Sequence, residues 1–454
     1  MRCRMVALAL LAVAMAAPAS AQDPFLGSVP HGAVSAEPLP LSAKDAVTRA
    51  LEYNLGLLLQ QQALQSARGA RWRALEDLLP NVKGSVGESR QIIDLAAYGF
   101  KADPSVVGPF NVFDARLFVS QPVIDLSALH HARAAAATER AESKSIQFAR
   151  DLVILVTVNL YLQTIAAASR VEAAHAQQAT ADALYRQATD LKSAGVVAGI
   201  DVLRAQGRIQ TERQRAIEAE NDLEKSKLRL ARAIGLPVGQ PIRLTDTIPY
   251  AAADTITIES AMTVALASRA DYHAAKERLL AAEAEQRAAV GTALPSLHVD
   301  ADYGTIGPTT SELHQTFRVA ATVKVPIFDA GKSKARRIEA DAEIKRRQAE
   351  LDDLQGRVEL EVRTAVLDLR AAGQQVEAAR TNATLAAQEL EQARDRFAAG
   401  ISGSLEVTEA QSAVAAASDA YINALYAHNL AKASLVRAEG TAEQTVMTLL
   451  GGGK

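Results

Sequence analysis

The sequence predicts a mainly α-helical chain with a small β part, arranged as an internal duplication in which each copy pairs long antiparallel coiled-coil helices with one β-hairpin. Three observations predict it. Asp125 to Lys192 contains neither Pro nor Gly and is rich in strong helix formers, so one helix there would reach on the order of 100 Å at about 1.5 Å per residue. After a Gly-containing break at Ser193 to Gln206, Val202, Ile209, Ala216, Leu223 and Leu230 recur every seven residues with Ala205, Ala219 and Ala233 beside them, a period that imposes a left-handed supercoil. A cleaner counterpart stands later in the chain, where Val407, Val414, Tyr421 and Leu435 are flanked by Ala410, Ala417, Ala424, Ala431 and Ala438.

From the start of the chain, residues 1–21 read as a cleaved secretory signal: Arg2 and Arg4, an apolar run from Met5 to Ala17 too short to span a bilayer, and the small-residue ending Ala19-Ser20-Ala21. The only cysteine, Cys3, lies inside that leader and precedes its apolar core, so it is not placed for acylation, and the mature chain has no thiol chemistry. Lys and Arg total 49 against 52 Asp and Glu. Losing Arg2 and Arg4 widens the acidic excess further, which argues against a nucleic-acid partner. Residues 22–40, with Pro24, Pro30, Pro38 and Pro40, read as an extended arm.

The first repeat is expected over 41–232 and the second over 256–440, joined by a Pro-rich linker at 233–255 and followed by a tail at 441–454. Ser42 is the expected N-cap of a helix running to Leu79. Its copy starts at Ile256, where Leu51 aligns with Leu266 and Leu79-Pro80 with Leu294-Pro295. Pro122-Val123-Ile124-Asp125 aligns with Pro326-Ile327-Phe328-Asp329, and Ala194-Gly195 with Ala399-Gly400. A period of this length means two homologous halves rather than a solenoid.

Within each half the hydrophobic period switches from helical to alternating, placing hairpins at about 81–122 and 296–328. Leu297, Val299, Ala301 and Tyr303 alternate with His298, Asp300 and Asp302. Phe317, Val319, Ala321, Val323 and Val325 alternate with Arg318, Thr322 and Lys324, and Phe113, Ala115, Leu117 and Val119 with Asp114, Arg116 and Ser120. The strand at "NVKGSVGES" is weaker, and a loop is expected from about Ile92 to Val112. One apolar and one charged face on strands of about ten residues is the pattern of an outer-membrane barrel. Four strands cannot close one, and lipid tolerates no open edge. The barrel must therefore be shared between subunits, with eight strands from two chains or twelve from three. The uncharged stretch Leu152 to Ser169 reads as buried bundle rather than a membrane span, because its counterpart carries Glu359, Glu361, Arg363 and Asp368.

The paired openings "LSAKDAVTRALEYN" and "ITIESAMTVALASRAD", the two Leu-Pro helix ends, "QPVID" and "VPIFD", and the turns "AGVVAGIDVLRAQ" and "AAGISGSLEVTEAQ" together resemble the TolC-like outer-membrane efflux proteins over almost all of the mature chain. That resemblance implies a homotrimer with a twelve-stranded transmembrane β-barrel and a periplasmic α-barrel. It also implies passive conduction of export substrates, whether drugs, small toxic compounds or proteins of type I secretion, received from an inner-membrane transporter through a periplasmic adaptor. Tip turns are expected at 193–201 and 399–406, with Gly195, Gly199, Gly400 and Gly403 in the adaptor-docking turns. Glu406 and Glu409, three apart on one helix face, match the acidic pair that projects into the pore at the closed tip. Asp201 matches the acidic residue that holds the tip closed. Phe397, however, lacks the hydroxyl that would bond it, and Ser402 stands where a basic residue is frequent, so the closing network is expected to be weaker or rewired.

No catalytic, cofactor or metal site is expected. His130-His131 lacks further ligands at metal spacing, no serine sits in a nucleophile elbow, and "GGGK" at Gly451 to Lys454 precedes no helix. The alternative reading is a periplasmic coiled-coil adaptor or structural envelope protein without a pore, which would lack the four symmetrically placed strands.

Overall fold

In the computed structural model, residues 24–101, 103–251 and 256–449 are described. The expected signal at 1–21 and the end of the expected tail lie outside them. In chain order the elements are β1 (Leu39–Leu41), α1 (Ala43–Tyr53), α2 (Leu55–Glu76), β2 (Asn81–Asp94), β3 (Val106–Ile124), α3 (Leu126–Ser193), α4 (Gly199–Ala233) and β4 (Ile242–Leu244). The second half follows with α5 (Ile258–Ser268), α6 (Ala270–Gly291), β5 (Ser296–Thr309), β6 (Glu312–Lys324), α7 (Lys332–Ala398), α8 (Ser404–Glu439) and α9 (Ala442–Leu449). The helix–hairpin–long helix–helix order thus occurs twice. The chain divides into two units, one of residues 1–61, 145–270 and 355–454 and the other of 62–144 and 271–354.

The first unit is helical apart from β1 and β4, which pair in parallel with Leu39 opposite Ile242 and Leu41 opposite Leu244. A capping box opens α1: the Ser42 hydroxyl accepts from the Asp45 amide and the Asp45 carboxylate accepts from that of Ser42. The expected single helix from Ser42 to Leu79 is two helices, broken at Asn54, and its copy breaks at Arg269. Asn54 is buried; its Nδ2 donates to the Phe25 carbonyl at 2.9 Å and its Oδ1 accepts from the Leu57 amide at 3.2 Å. Arg269 instead reaches Glu361 at 2.5 Å, and Glu361 also holds Arg437 at 3.0 Å. Each break receives the end of another helix. Gly235 (φ 70°) lies where a Cβ would come within 2.8 Å of Tyr53 Cβ, and Gly440 (φ 72°) where it would come equally close to Arg269 Cα. These are contacts distant in sequence, which helical periodicity does not carry.

The uncharged stretch of α3 lies in this core. Val153, Tyr161 and Ile165 cluster with Leu41, Ala46, Ala50, Leu57, Leu230 and Ile234, while Ile154, Val158 and Leu162 cluster with Val47, Ala433 and Val436. The Tyr161 hydroxyl lies 3.0 Å from the Leu41 carbonyl and 2.8 Å from the Asp246 carboxylate.

The second unit carries one four-stranded sheet in the order β2-β3-β5-β6, antiparallel throughout. The second strand of one hairpin pairs with the first strand of the other, leaving β2 and β6 as edges. The loop expected over Ile92 to Val112 is shorter than the sequence suggested. β2 runs to Asp94 and β3 begins at Val106, with a turn of 3-10 helix at Leu95–Tyr98 between them. Val82, Val86, Leu117, Val119, Tyr303, Phe317, Val319 and Val323 are exposed, and the register puts them on one face of the sheet, with Lys83, Asp114, Arg116, Asp300, Asp302 and Arg318 on the other; Glu88 and Arg90, toward the far end of β2, share the apolar face.

Candidate functional site: the paired helix turns

The two turns that interrupt the long helices lie in the first unit and repeat one construction. At the end of α3 the Gly195 amide donates to the Lys192 carbonyl at 2.9 Å and the Val196 amide to the Leu191 carbonyl at 2.9 Å. At the end of α7 the Gly400 amide donates to the Phe397 carbonyl at 3.0 Å and the Ile401 amide to the Arg396 carbonyl at 2.9 Å. This double bond pattern stops a helix around one left-handed residue. Gly195 (φ 77°) and Gly400 (φ 73°) fill that position, where a side chain costs about 1 kcal/mol or more. A Cβ on Gly400 would lie 3.3 Å from Val196 Cγ1, so the two turns touch.

Gly199 and Gly403 have different duties. Gly199 is the first helical residue of α4, and Gly403 is the N-cap of α8, at ordinary negative φ. Neither α4 nor α8 is capped by the side chain of its own N-cap residue, Ala198 or Gly403. Asp201 caps α8 from across the turn. Its Oδ1 accepts from the Ser404 hydroxyl at 2.6 Å and from the Ser404 amide at 3.3 Å. Asp201 is 8% exposed and Ser404 5%, and a carboxylate facing the first amides of a helix is further favoured by the helix dipole. Arg204, one turn on, stands 3.6 Å from the same oxygen.

The hydrogen bonding of Asp201 runs through neither Phe397 nor Ser402. Phe397 is buried with Leu184, Ala188, Leu390, Val407 and Ala410 as pure packing, and the hydroxyl that meets Asp201 comes from Ser404. The Ser402 hydroxyl contributes no bond, being buried without a partner, while its amide donates to the Arg396 carbonyl at 3.3 Å. α8 begins at Ser404, so Glu406 and Glu409 lie in its first turns rather than in an irregular turn running to 406. Glu406 is half-buried and faces Arg396 of α7 at 3.4 Å, while Glu409 is exposed. Glu406 occupies the repeat position of Asp201, 205 residues on. The same position thus turns inward in one copy and outward in the other.

Two turns further along α4, Arg208 joins α4 to α8 by donating to the Ser412 hydroxyl at 2.9 Å, and it pairs with the fully buried Glu212 at 2.6 Å. Burial pushes Arg208 down from the ordinary guanidinium value, an effect that Glu212 opposes. Sequence reasoning missed Ser404, Arg396 and Arg208, because each acts through a partner on another helix, and Glu212, whose partners Arg208 and Arg215 are on its own helix but whose full burial the helical pattern does not record. Elsewhere, His131 Nδ1 lies 2.8 Å from Glu285, and among the described residues no three His, Cys, Asp or Glu side chains are grouped as metal ligands.

The model of the outer membrane efflux protein family matches residues 46–236 and 261–441, once in each half. The chain belongs to the outer membrane efflux protein family. Membership in this family of channel proteins places it in the outer membrane with a large periplasmic part. The pyoverdine export outer membrane protein OpmQ of Pseudomonas putida is 24% identical over 271 residues, which cover 59% of this chain and 57% of OpmQ. The chain thus spans little more than half the length of this curated relative. Among solved structures, the open state of the Neisseria gonorrhoeae MtrE outer membrane channel superposes with a TM-score of 0.75 at 18% identity, covering 88% of this efflux protein and 89% of MtrE. The Campylobacter jejuni CmeC outer membrane channel gives 0.73 at 20% identity, covering 92% of each chain. At these identities the shared property is the fold, a helical tunnel combined with a β-barrel.

Proposed function

We propose that three copies of this efflux protein close one twelve-stranded barrel and conduct export substrates passively across the outer membrane. The observation that carries this reading is the sheet itself: four strands, two unpaired edges, one apolar face and one charged face. In lipid both edges must be paired, and twelve strands leave an aqueous passage that eight fill with side chains. The energy for export comes from an inner-membrane transporter reached through a periplasmic adaptor, and the chain itself performs no catalysis. The turns around Gly195 and Gly199, and around Gly400 and Gly403, dock the adaptor. Glu406 and Glu409 line the constriction, where three-fold repetition brings six carboxylates to one opening and favours cations. Asp201 and Ser404 hold the constriction closed, with Phe397 packed behind them.

Heat-modifiable migration in detergent and native mass measurement test the assembly. A trimer is expected, and a dispersed monomer that forms no conducting channel would overturn the reading. A soluble periplasmic pool after fractionation would favour the adaptor-like alternative.

A further inference from the structure

The charged face of the sheet is layered by sign, and the layering follows from the register. In one row Lys83 lies opposite Phe118, Phe118 opposite Asp302, and Asp302 opposite Arg318. In the next row Ser85, Arg116, Gly304 and Thr316 stand in line. The rows on either side carry acids: Asn81, Ser120, Asp300 and Ala320 on one, and Gly87, Asp114, Ile306 and His314 on the other. Three cations and one carboxylate therefore occupy two adjacent rows, with a row holding one aspartate above and another below.

The side chains reinforce the pattern. Asp302 is 7% exposed because Arg116 reaches its Oδ1 at 2.7 Å and Arg318 its Oδ2 at 3.2 Å. Arg116 is also held by Asp114 at 2.9 Å, and Asp300 accepts from the Ser120 hydroxyl at 2.6 Å. Asp302 is thus consumed as an anchor. The Arg318 side chain stays 72% exposed, with only its Nε engaged by Asp302, and Lys83 is exposed on the other edge strand. Opposite these rows the other face carries Val82, Leu117, Val119, Tyr303, Phe317 and Val319, so in a lipid-embedded barrel these cations face the lumen.

We infer that this pair of rows is an anion-preferring belt of the barrel, in which Arg318 and Lys83, with Arg318 anchored by Asp302, select for export substrates bearing carboxylate or comparable anionic groups. The inference rests on the channel reading above. A guanidinium fixed by a buried carboxylate presents its remaining donors in a set direction, which suits a planar anion. Repetition in three chains places the cations around one passage, where a ring of like charge sets ion preference. The sign is opposite to that of the Glu406 and Glu409 carboxylates, so the two elements are separable by experiment.

The experiment is the reversal potential of single channels in a potassium chloride gradient across planar bilayers. Glu406→Ala with Glu409→Ala removes the competing carboxylates, and the belt is expected to leave that channel preferring chloride. Adding Lys83→Gln and Arg318→Gln should lower the chloride-to-potassium permeability ratio by roughly threefold or more. Asp302→Asn alone, which removes the carboxylate of these rows without removing a cation, should raise chloride preference. Conducting channels whose reversal potential ignores all three belt substitutions would overturn the belt and leave the channel reading intact. Failure of the unsubstituted protein to conduct at all would overturn both.

Discussion

Ser404→Ala removes the hydroxyl through which Asp201 holds the start of α8. The bond is 2.6 Å long, its acceptor is a carboxylate, and both residues are less than a tenth exposed. A charge-assisted hydrogen bond of this kind is worth about 1.5–3 kcal/mol. After the substitution Asp201 keeps only the Ser404 amide at 3.3 Å and Arg204 at 3.6 Å. These recover part of the carboxylate's solvation, so we take about 2 kcal/mol, a change of roughly thirtyfold in the local opening equilibrium at 1.4 kcal/mol per decade. Hydrogen exchange followed by mass spectrometry on the assembled protein in detergent reads that equilibrium directly. Amides in a peptide covering Gly403 to Val407 should exchange about thirtyfold faster, while peptides from the core around Tyr161 should not change, because the lost bond is local. Asp201→Asn should give a smaller effect of the same sign, since it keeps the shape and drops the charge. Equal exchange in the unsubstituted protein and Ser404→Ala would refute the reasoning, showing that the Schellman turn and the Phe397 cluster hold the tip without this cap.

Three further outcomes are expected. Glu406→Ala with Glu409→Ala should lower cation selectivity and relieve block by multivalent cations in planar bilayers; unchanged block in a properly assembled double variant would place the constriction elsewhere. Gly195→Val and Gly400→Val force a β-branched side chain into left-handed backbone, and each should cost about 1–2 kcal/mol locally. Each should also weaken adaptor capture in a pull-down, and intact capture and export in both variants would separate docking from these turns. Burial and the Asp246 carboxylate push the Tyr161 hydroxyl well above the usual tyrosine value. A folded-state value raised above 10 means that the unfolded chain loses its proton first. This contribution is therefore complete below about pH 10 and declines as pH rises above it. Denaturant titrations should show Tyr161→Phe less stable by about 1 kcal/mol near neutrality. The gap should narrow at alkaline pH, and a gap constant through pH 11 would contradict that account.

The parts of this architecture legible in the sequence are those written in local chemistry. Pro80 and Pro295 end helices, Gly195 and Gly400 supply the left-handed residues of the turns, and the alternation through Tyr303 and Phe317 declares two strands before any pairing is known. β2 was faint because Gly84 leaves a gap in its apolar face and Glu88 and Arg90 share that face further along the strand. The sheet order was not legible, since nothing local records that β3 pairs with β5. The same distance hid the cap: Asp201 and Ser404 are 203 residues apart, and Ser404 itself reads as an ordinary first residue of a helix. The break at Asn54 was missed because its side chain replaces helical bonding with contacts to the arm at Phe25 and Gly27. The charged belt stands between these cases. Its residues are visible as the polar half of each alternating strand, but only the register assembles them into rows and shows two adjacent rows carrying three cations against one carboxylate.

Asp201 and Glu406 began as the same residue of one ancestral hairpin and now do different work, the former buried against Ser404 and the latter turned toward Arg396. A ring of six identical hairpins would have to move as six equals, opening everywhere at once or nowhere. Division of labour between the duplicates removes that constraint. In the trimer proposed above, one copy per subunit would serve as the latch and the other as the charged lip, so each could be tuned by mutation without disturbing its twin. On that proposal, the divergence of a single repeat position is what would let a duplicated wall acquire a door.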